Sequence, residues 1–260
     1  MDIFNNSPEF EQLDAKDQGS ALKIQGLTPM LAQYFEIKYQ NPGSLLFFRM
    51  GDFYELFFDD AVEAARVLDI TLTRRGKYQG EDIPMCGVPF HAADSYLGRL
   101  IRKGYRVAIC EQVEDPQEAK KRGNKSVVKR AVARVITPGT VTEESLLEAR
   151  SNNYLACVTV VQVTVAVAWV DVSTGELQSQ DLNPDQLGAV LARIAPSEIL
   201  VSDKLISNQE GPNSLTQQLN DWRLILTILP SSRFDSANGI KRLKKLYNVA
   251  ALDSFGSFSR

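Results

Sequence analysis

The sequence predicts an α/β protein made of two successive domains, on three observations. Strand-length apolar runs alternate with segments of helical periodicity from Thr28 onward. Proline and glycine punctuate many of the junctions between them. After residue 150 the rhythm changes: three strand-like runs follow one another before helices and strands alternate again. The first domain therefore reads as mixed α/β over 22–140, residues 141–150 as a linker, and the second domain as 151–260. Residues 1–21 are polar and aperiodic and read as a flexible tail.

Thr28-Pro29 opens the first helix, with Thr28 as N-cap and proline at the first helical position. Leu31, Tyr34, Phe35 and Lys38 follow at helical spacing, and Pro42-Gly43 ends it. Residues 45–50 predict a buried strand, Gly51-Asp52 a turn, and 53–57 a second strand. A helix over 59–68 starts with two acidic residues, where the helix dipole favours them. A short strand is expected at 71–74. Residues 83–89 hold two prolines and a glycine, which exclude a regular helix and suggest a rigid loop. A helix over 94–103 stops at Gly104, and strands follow at 105–112 and 131–137. Residues 143–148 read as partly helical. In the second domain the successive strands are 154–160, 164–172 and 176–181. A helix at 184–194, a strand at 198–201, a weak helix at 215–219, a strand at 224–228 and a helix at 239–246 complete it. That order is the one expected of a ribonuclease-H-like α/β domain.

The composition, 44% apolar and 23% charged, is that of a globular protein. No apolar run is long enough to span a bilayer and the N-terminus has no signal-peptide pattern, so a cytoplasmic protein is expected. Cys86, Cys110 and Cys157 are dispersed, and with the single His91 they make no zinc-site spacing. Reduced, buried thiols are the expectation. A net charge of −3 means that any nucleic-acid contact must come from local patches rather than a global basic field.

The most informative segment is Phe47-Phe48-Arg49-Met50-Gly51-Asp52-Phe53-Tyr54-Glu55-Leu56-Phe57. Phe53 and Glu55, two apart, project from one face of an extended backbone. A phenyl ring pushed between base steps costs a few kcal/mol of unstacking, less where pairing is already weak. Such a wedge detects a poor base pair without reading sequence, and a carboxylate beside it can hydrogen-bond an unpaired base edge. The structural alternative is a core phenylalanine beside a solvated glutamate.

The surrounding blocks weigh against that alternative. Thr28-Pro29-Met30, Phe48 to Phe57, Leu72-Thr73-Arg74-Arg75-Gly76, Ile83 to His91, Val107 to Gln112 and Thr137-Pro138-Gly139-Thr140 together resemble the mismatch-recognition domain of the MutS family of DNA mismatch repair proteins. Asn152-Asn153-Tyr154-Leu155 and Asp171-Val172-Ser173-Thr174-Gly175 resemble that family's connector domain, which is ribonuclease-H-like. The resemblance implies that Phe53 stacks on the mispaired base and that Glu55 hydrogen-bonds it. Met50 and Asp52 flank the wedge and are expected near the same DNA, with a buried Met50 and a turn-forming Asp52 as structural alternatives. Arg75, and after it Arg74 and Lys77, are candidates for phosphate contacts.

The resemblance also implies partners: mismatched double-stranded DNA and a MutL-type protein. The full-length family protein dimerises and is a DNA-dependent ATPase using ATP and Mg. The chain contains no Gly-x-x-x-x-Gly-Lys-Ser/Thr loop. It is therefore expected to be a fragment, monomeric, without catalytic or metal-binding residues and without a cofactor of its own. A bacterial source would make it nucleoid-associated. The basic run Lys120, Lys121, Arg122, Lys125, Lys129 and Arg130 reads as either a solvated face or a DNA contact. The competing enzyme reading is a metal-dependent nuclease built on Asp171.

Overall fold

A computed structural model describes residues 28–123, 126–143, 146–147, 151–161, 164–207 and 213–253. The tail expected over 1–21, the Lys125 position and positions 162–163 lie outside the described residues, as does half of the helix expected at 143–148. The described chain divides into two compact units, 28–93 with 107–135, and 94–106 with 136–253.

In the first unit, helix α1 (Pro29–Gln40) begins as its sequence predicts, the Thr28 hydroxyl accepting from Leu31 N–H at 3.4 Å. Strands β1 (Leu45–Met50) and β2 (Phe53–Phe57) form a hairpin in which Met50 faces Phe53. Gly51 has φ +63 at the first turn position and Asp52 does not share the positive φ, the pattern of a two-residue turn that matches strand twist. Helix α2 (Phe58–Leu68), β3 (Thr73–Tyr78), β4 (Glu81–Pro89), β5 (Val107–Gln112), a short helix α4 (Pro116–Lys121) and β6 (Arg130–Ile136) follow, with α3 (Ala93–Arg102) between β4 and β5. The sheet order is β3-β4-β2-β1-β5-β6, with β3-β4, β4-β2 and β2-β1 antiparallel and β1 parallel to β5.

The loop expected at 83–89 is a strand. Its prolines occupy places a ladder tolerates: Pro84 lies opposite Arg74 beside a bulge, and Pro89 is the last residue of the strand. The bulge sets Arg75 and Gly76 against the single residue Ile83, and Gly76 supplies φ +77 there. β3 runs over Thr73–Tyr78, later and longer than the short run expected at 71–74.

Strand alternation divides the sheet into two faces. Leu46, Phe48, Phe57, Ile83, Ala108 and Cys110 pack on Leu31, Tyr34 and Ile37 of α1. Phe48 and Phe57 are fully buried, each contributing about 1.5–3 kcal/mol of hydrophobic burial. Asp60, at the start of α2, is buried beneath this core. It accepts from Lys38 Nζ at 2.7 Å, Leu46 N–H at 2.9 Å and Tyr34 Oη at 3.4 Å.

The second unit has the order β11-β10-β7-β8-β9, from β7 (Tyr154–Val161), β8 (Thr164–Asp171), β9 (Glu176–Leu182), β10 (Glu198–Ser202) and β11 (Leu226–Leu229). The meander β7-β8-β9 is antiparallel, while β10 and β11 add in parallel, which is the mixed ribonuclease-H-like sheet expected. Helices α5 (Leu187–Ile194), α6 (Asp203–Ile206), α7 (Asn213–Asn220) and α8 (Ser236–Tyr247) complete it. Edge strand β9 exposes Gln178, Ser179, Gln180 and Asp181, polar residues that discourage strand addition. By compactness, residues 94–106 group with this unit. Gly98 of α3 sits so close to Leu146 that a Cβ would lie 2.7 Å from its Cδ2.

Buried Glu198 anchors the turn after β6. Its carboxylate accepts from the Thr137 hydroxyl, from Gly139 N–H at 3.1 Å and from the Thr227 hydroxyl at 2.6 Å. A Cβ on Gly139 would sit 2.8 Å from Glu198 Cβ and 2.9 Å from Leu155 Cδ1. Gly139→Ala is accordingly expected to destabilise by about 1–3 kcal/mol through overpacking, read as a lowered urea midpoint.

The three thiols are free. Burial pushes Cys86 and Cys110 up to about 12 and Cys157 to about 11. A thiol-specific disulfide reagent at pH 8 is therefore expected to label none of them rapidly in the native chain and all three after unfolding. Because folding raises these values, the thiols cost nothing below the unfolded thiol's pKa of about 8.5, and stability falls as pH climbs from there toward 11–12.

Candidate nucleic-acid interface

Beyond the part of the sheet face that α1 covers, the same face continues as Met50, Phe53, Glu55, Gly87 and Pro89, aligned by the β1-β2-β4 register. Phe53 is 47% exposed at the first position of β2, although the strand behind it is buried from Tyr54 to Phe57. A large apolar ring so exposed on a rigid hairpin is not core. The hairpin end is held firmly: Phe90 N–H donates to Asp52 O at 2.8 Å, and Arg49 Nε donates to Gly51 O at 2.5 Å. The Arg49 guanidinium stacks 3.4 Å from the Phe90 ring centre.

Glu55 is only 9% exposed. Its carboxylate is paired with Arg75, whose Nη1 donates to both oxygens. The pairing reaches over β4 at Gly87, where no side chain intervenes; a Cβ there would lie 3.8 Å from both Glu55 Cγ and the Phe53 ring. Burial pushes the Glu55 carboxyl above its ordinary value, and the positive charges of Arg75 and Arg130 oppose that shift. Behind the site, Tyr54 donates to Glu111 on the opposite face; burial first, then Glu111, push its phenol up to about 12.

Of the residues selected from sequence, the structure brings Phe53, Glu55, Met50 and Arg75 together. Asp52 is exposed at the turn tip beside them. Met50 is half-buried, its Sδ 3.2 Å from Arg130 Nη2, so it is partly a core residue. Arg74 is exposed but turned to Asp82, 3.1 Å away along the β3-β4 ribbon.

Arg130 was seen in the sequence only as one charge in a basic run. It is instead packed on the Phe48 ring, 4.7 Å from its centre, donating to Arg49 O at 2.6 Å, Val128 O at 2.9 Å and Gln33 Oε1 at 3.1 Å. Arg122 of the same run is paired with Glu114. These contacts join residues up to 97 apart and leave no local pattern. In the sequence Gly87 is one glycine of a Pro/Gly-rich block; the space it leaves beside Phe53 becomes legible only with the strand register.

The nuclease alternative finds no support. Asp171 Oδ1 accepts from Ser173 N–H at 2.9 Å and from the Ser173 hydroxyl at 2.6 Å, which makes it the turn former between β8 and β9. The Ser173 hydroxyl holds its carboxyl below the ordinary range. Among the described residues no group of three or more His, Cys, Asp or Glu could hold a metal ion. No helix among them is long and apolar enough to cross a membrane.

Two family models match the chain, MutS domain I over residues 28–145 and MutS domain II over 153–260. The class is thus a mixed α/β MutS domain I joined to a MutS domain II. The chain is 55% identical over 234 residues to the DNA mismatch repair protein MutS of Ruegeria pomeroyi, 56% identical over 234 to that of Dinoroseobacter shibae and 57% identical over 233 to that of Paracoccus denitrificans. Each match covers 90% of this chain and 26% of the relative, so the chain spans about a quarter of the length of the curated relatives it matches. The chain belongs to the MutS family.

Proposed function

We propose that this chain is the mismatch-reading and connector part of a DNA mismatch repair protein, and that Phe53 is its wedge. The observation that supports this most is a half-exposed phenyl ring on a pinned hairpin, beside a carboxylate, in a chain that matches MutS domain I. Phe53 enters the stack at a mispaired or unpaired base, where unstacking costs least. Glu55 hydrogen-bonds that base, and Arg75 contacts phosphate, with Met50 and Asp52 beside the duplex and Arg74 peripheral. None of this requires bond making, so the chain acts as a binding module and not as an enzyme.

The second unit is the connector, which carries the state of the reader through the protein and presents a surface to a MutL-type partner. ATP and Mg serve an ATPase domain of the full-length protein, which works as a dimer in the cytoplasm on nucleoid DNA. The test is fluorescence anisotropy of matched and single-mismatch duplexes at low salt. Tighter binding of the mismatch supports the reading, and equal affinities overturn it for the isolated chain.

A further inference from the structure

We propose that Arg75 is a gated phosphate ligand: it holds the Glu55 carboxylate in the free protein and passes to a DNA phosphate only when a mispaired base takes Glu55 over. This rests on the reading of Phe53 and Glu55 above.

Three observations carry it. First, Arg75 Nη1 donates to both Glu55 oxygens, so the carboxylate that is to meet a base is already engaged by a cation. Second, the two partners differ in freedom. The Glu55 side chain is 12% exposed and fixed in β2, whereas the Arg75 side chain is 45% exposed and leaves the chain at the β3 bulge. Arg75 can swing away without disturbing the sheet. Third, the neighbouring arginines are committed elsewhere. Arg49 is on the Phe90 ring and Gly51 O, Arg74 is on Asp82, and Arg130 is on three oxygens of the protein.

The exchange follows from the cost of a stranded charge. If Arg75 left for a phosphate on a matched duplex, Glu55 would remain buried with its partner removed, beside a polyanion. Breaking a buried pair by removing one member is strongly unfavourable. The base edges of a sound pair offer Glu55 no free donor, so Arg75 stays and contributes nothing to phosphate binding. An unpaired base supplies the donor, and Arg75 is released. Arg75 is thus a positioning residue that makes discrimination depend on Glu55 being satisfied.

The signature is electrostatic. Each phosphate neutralised adds about 0.9 to the slope of log affinity against log salt. The slope for a mismatched duplex should exceed that for a matched one by about 0.9, so the ratio of the two affinities falls about three- to fourfold between roughly 50 and 200 mM salt. Anisotropy titrations of the chain over that range, with Arg75→Gln, Glu55→Gln, the double variant and Arg75→Lys, test this. Arg75→Gln should abolish the slope difference between mismatched and matched duplexes. Glu55→Gln should steepen the matched slope, because Arg75 is then free on both duplexes, and adding Arg75→Gln should reverse that. Arg75→Lys, which keeps a cation, should retain the difference.

Indistinguishable slopes, including absence of binding by every protein, overturn the proposal, as does an equal loss from Arg75→Gln on both duplexes in both backgrounds. Phe53→Ala measured alongside separates the two ideas. If that variant keeps a mismatch preference, the wedge reading fails; if it loses the preference while the wild-type slopes match, only the exchange fails.

Discussion

Phe53→Ala is expected to abolish the preference for mismatched over matched DNA while leaving the fold nearly untouched. Stacking of a base on an aromatic ring is worth about 1–3 kcal/mol by alanine substitution, which corresponds to about 5- to 150-fold in affinity. The loss should fall on the mismatched duplex, because a sound pair resists the unstacking that insertion requires. The fold should survive because the ring is 47% exposed, and because the hairpin is held by the Gly51 turn, the Asp52–Phe90 hydrogen bond and the buried residues that follow. Anisotropy with both duplexes, beside a urea melt, checks both halves. A variant that still prefers the mismatch would remove Phe53 from the mechanism. A variant that melts early would show that the ring supports the hairpin instead.

The largest stability effect is expected at Asp60. Its two oxygens gather the Lys38 ammonium, the Leu46 N–H and the Tyr34 hydroxyl, joining α1, the start of β1 and α2 around one carboxylate. Asp60→Ala leaves those donors without that acceptor in a site that is itself only 2% exposed. Removing one member of a buried pair costs about 3–5 kcal/mol. Lys38 Nζ keeps a bond to Ser44 O at 2.5 Å and is partly exposed, which places the expected loss near the lower end. Against a typical total of about 5–15 kcal/mol, that is enough to leave the first unit marginal. Asp60→Asn keeps acceptor oxygen and should cost less. A urea midpoint unchanged in Asp60→Ala would refute this account.

The same carboxyl has a pH signature of unusual sign. Burial pushes Asp60 above its ordinary value, with Lys38 opposing. Its contribution is therefore complete below the unfolded value of about 3.9 and declines as pH rises through the folded titration, the reverse of an exposed salt bridge. Asp60→Asn should remove that part of the pH dependence.

Much of the chain was legible from local chemistry. Thr28-Pro29 marks a helix start because an N-cap hydroxyl and a proline suit the first turn wherever they occur. Gly51-Asp52 marks the hairpin because the first turn position needs positive φ. That Phe53 lies at the surface and not in the core was implied by the family resemblance of its neighbourhood, not by a local property. By contrast, 83–89 read as a loop, because proline and glycine report local preference while the bulge that accommodates Pro84 is set by the partner strand. The short helices α4 and α6 went unseen, being too brief to show a period.

The sequence by itself determined the family, the two α/β domains, most of the strands and the longer helices, and Phe53 and Glu55 as the candidate pair. These are carried by motif, periodicity and capping, all local properties. Only the tertiary structure decided that Arg75 reaches Glu55 over the side-chain-free Gly87, that Arg130 leaves its basic run to pack on Phe48, and that residues 94–106 join the second unit. Each depends on strand register or packing between residues remote in sequence. A period of two or of 3.6 says which face a side chain takes, but not which charge waits on that face.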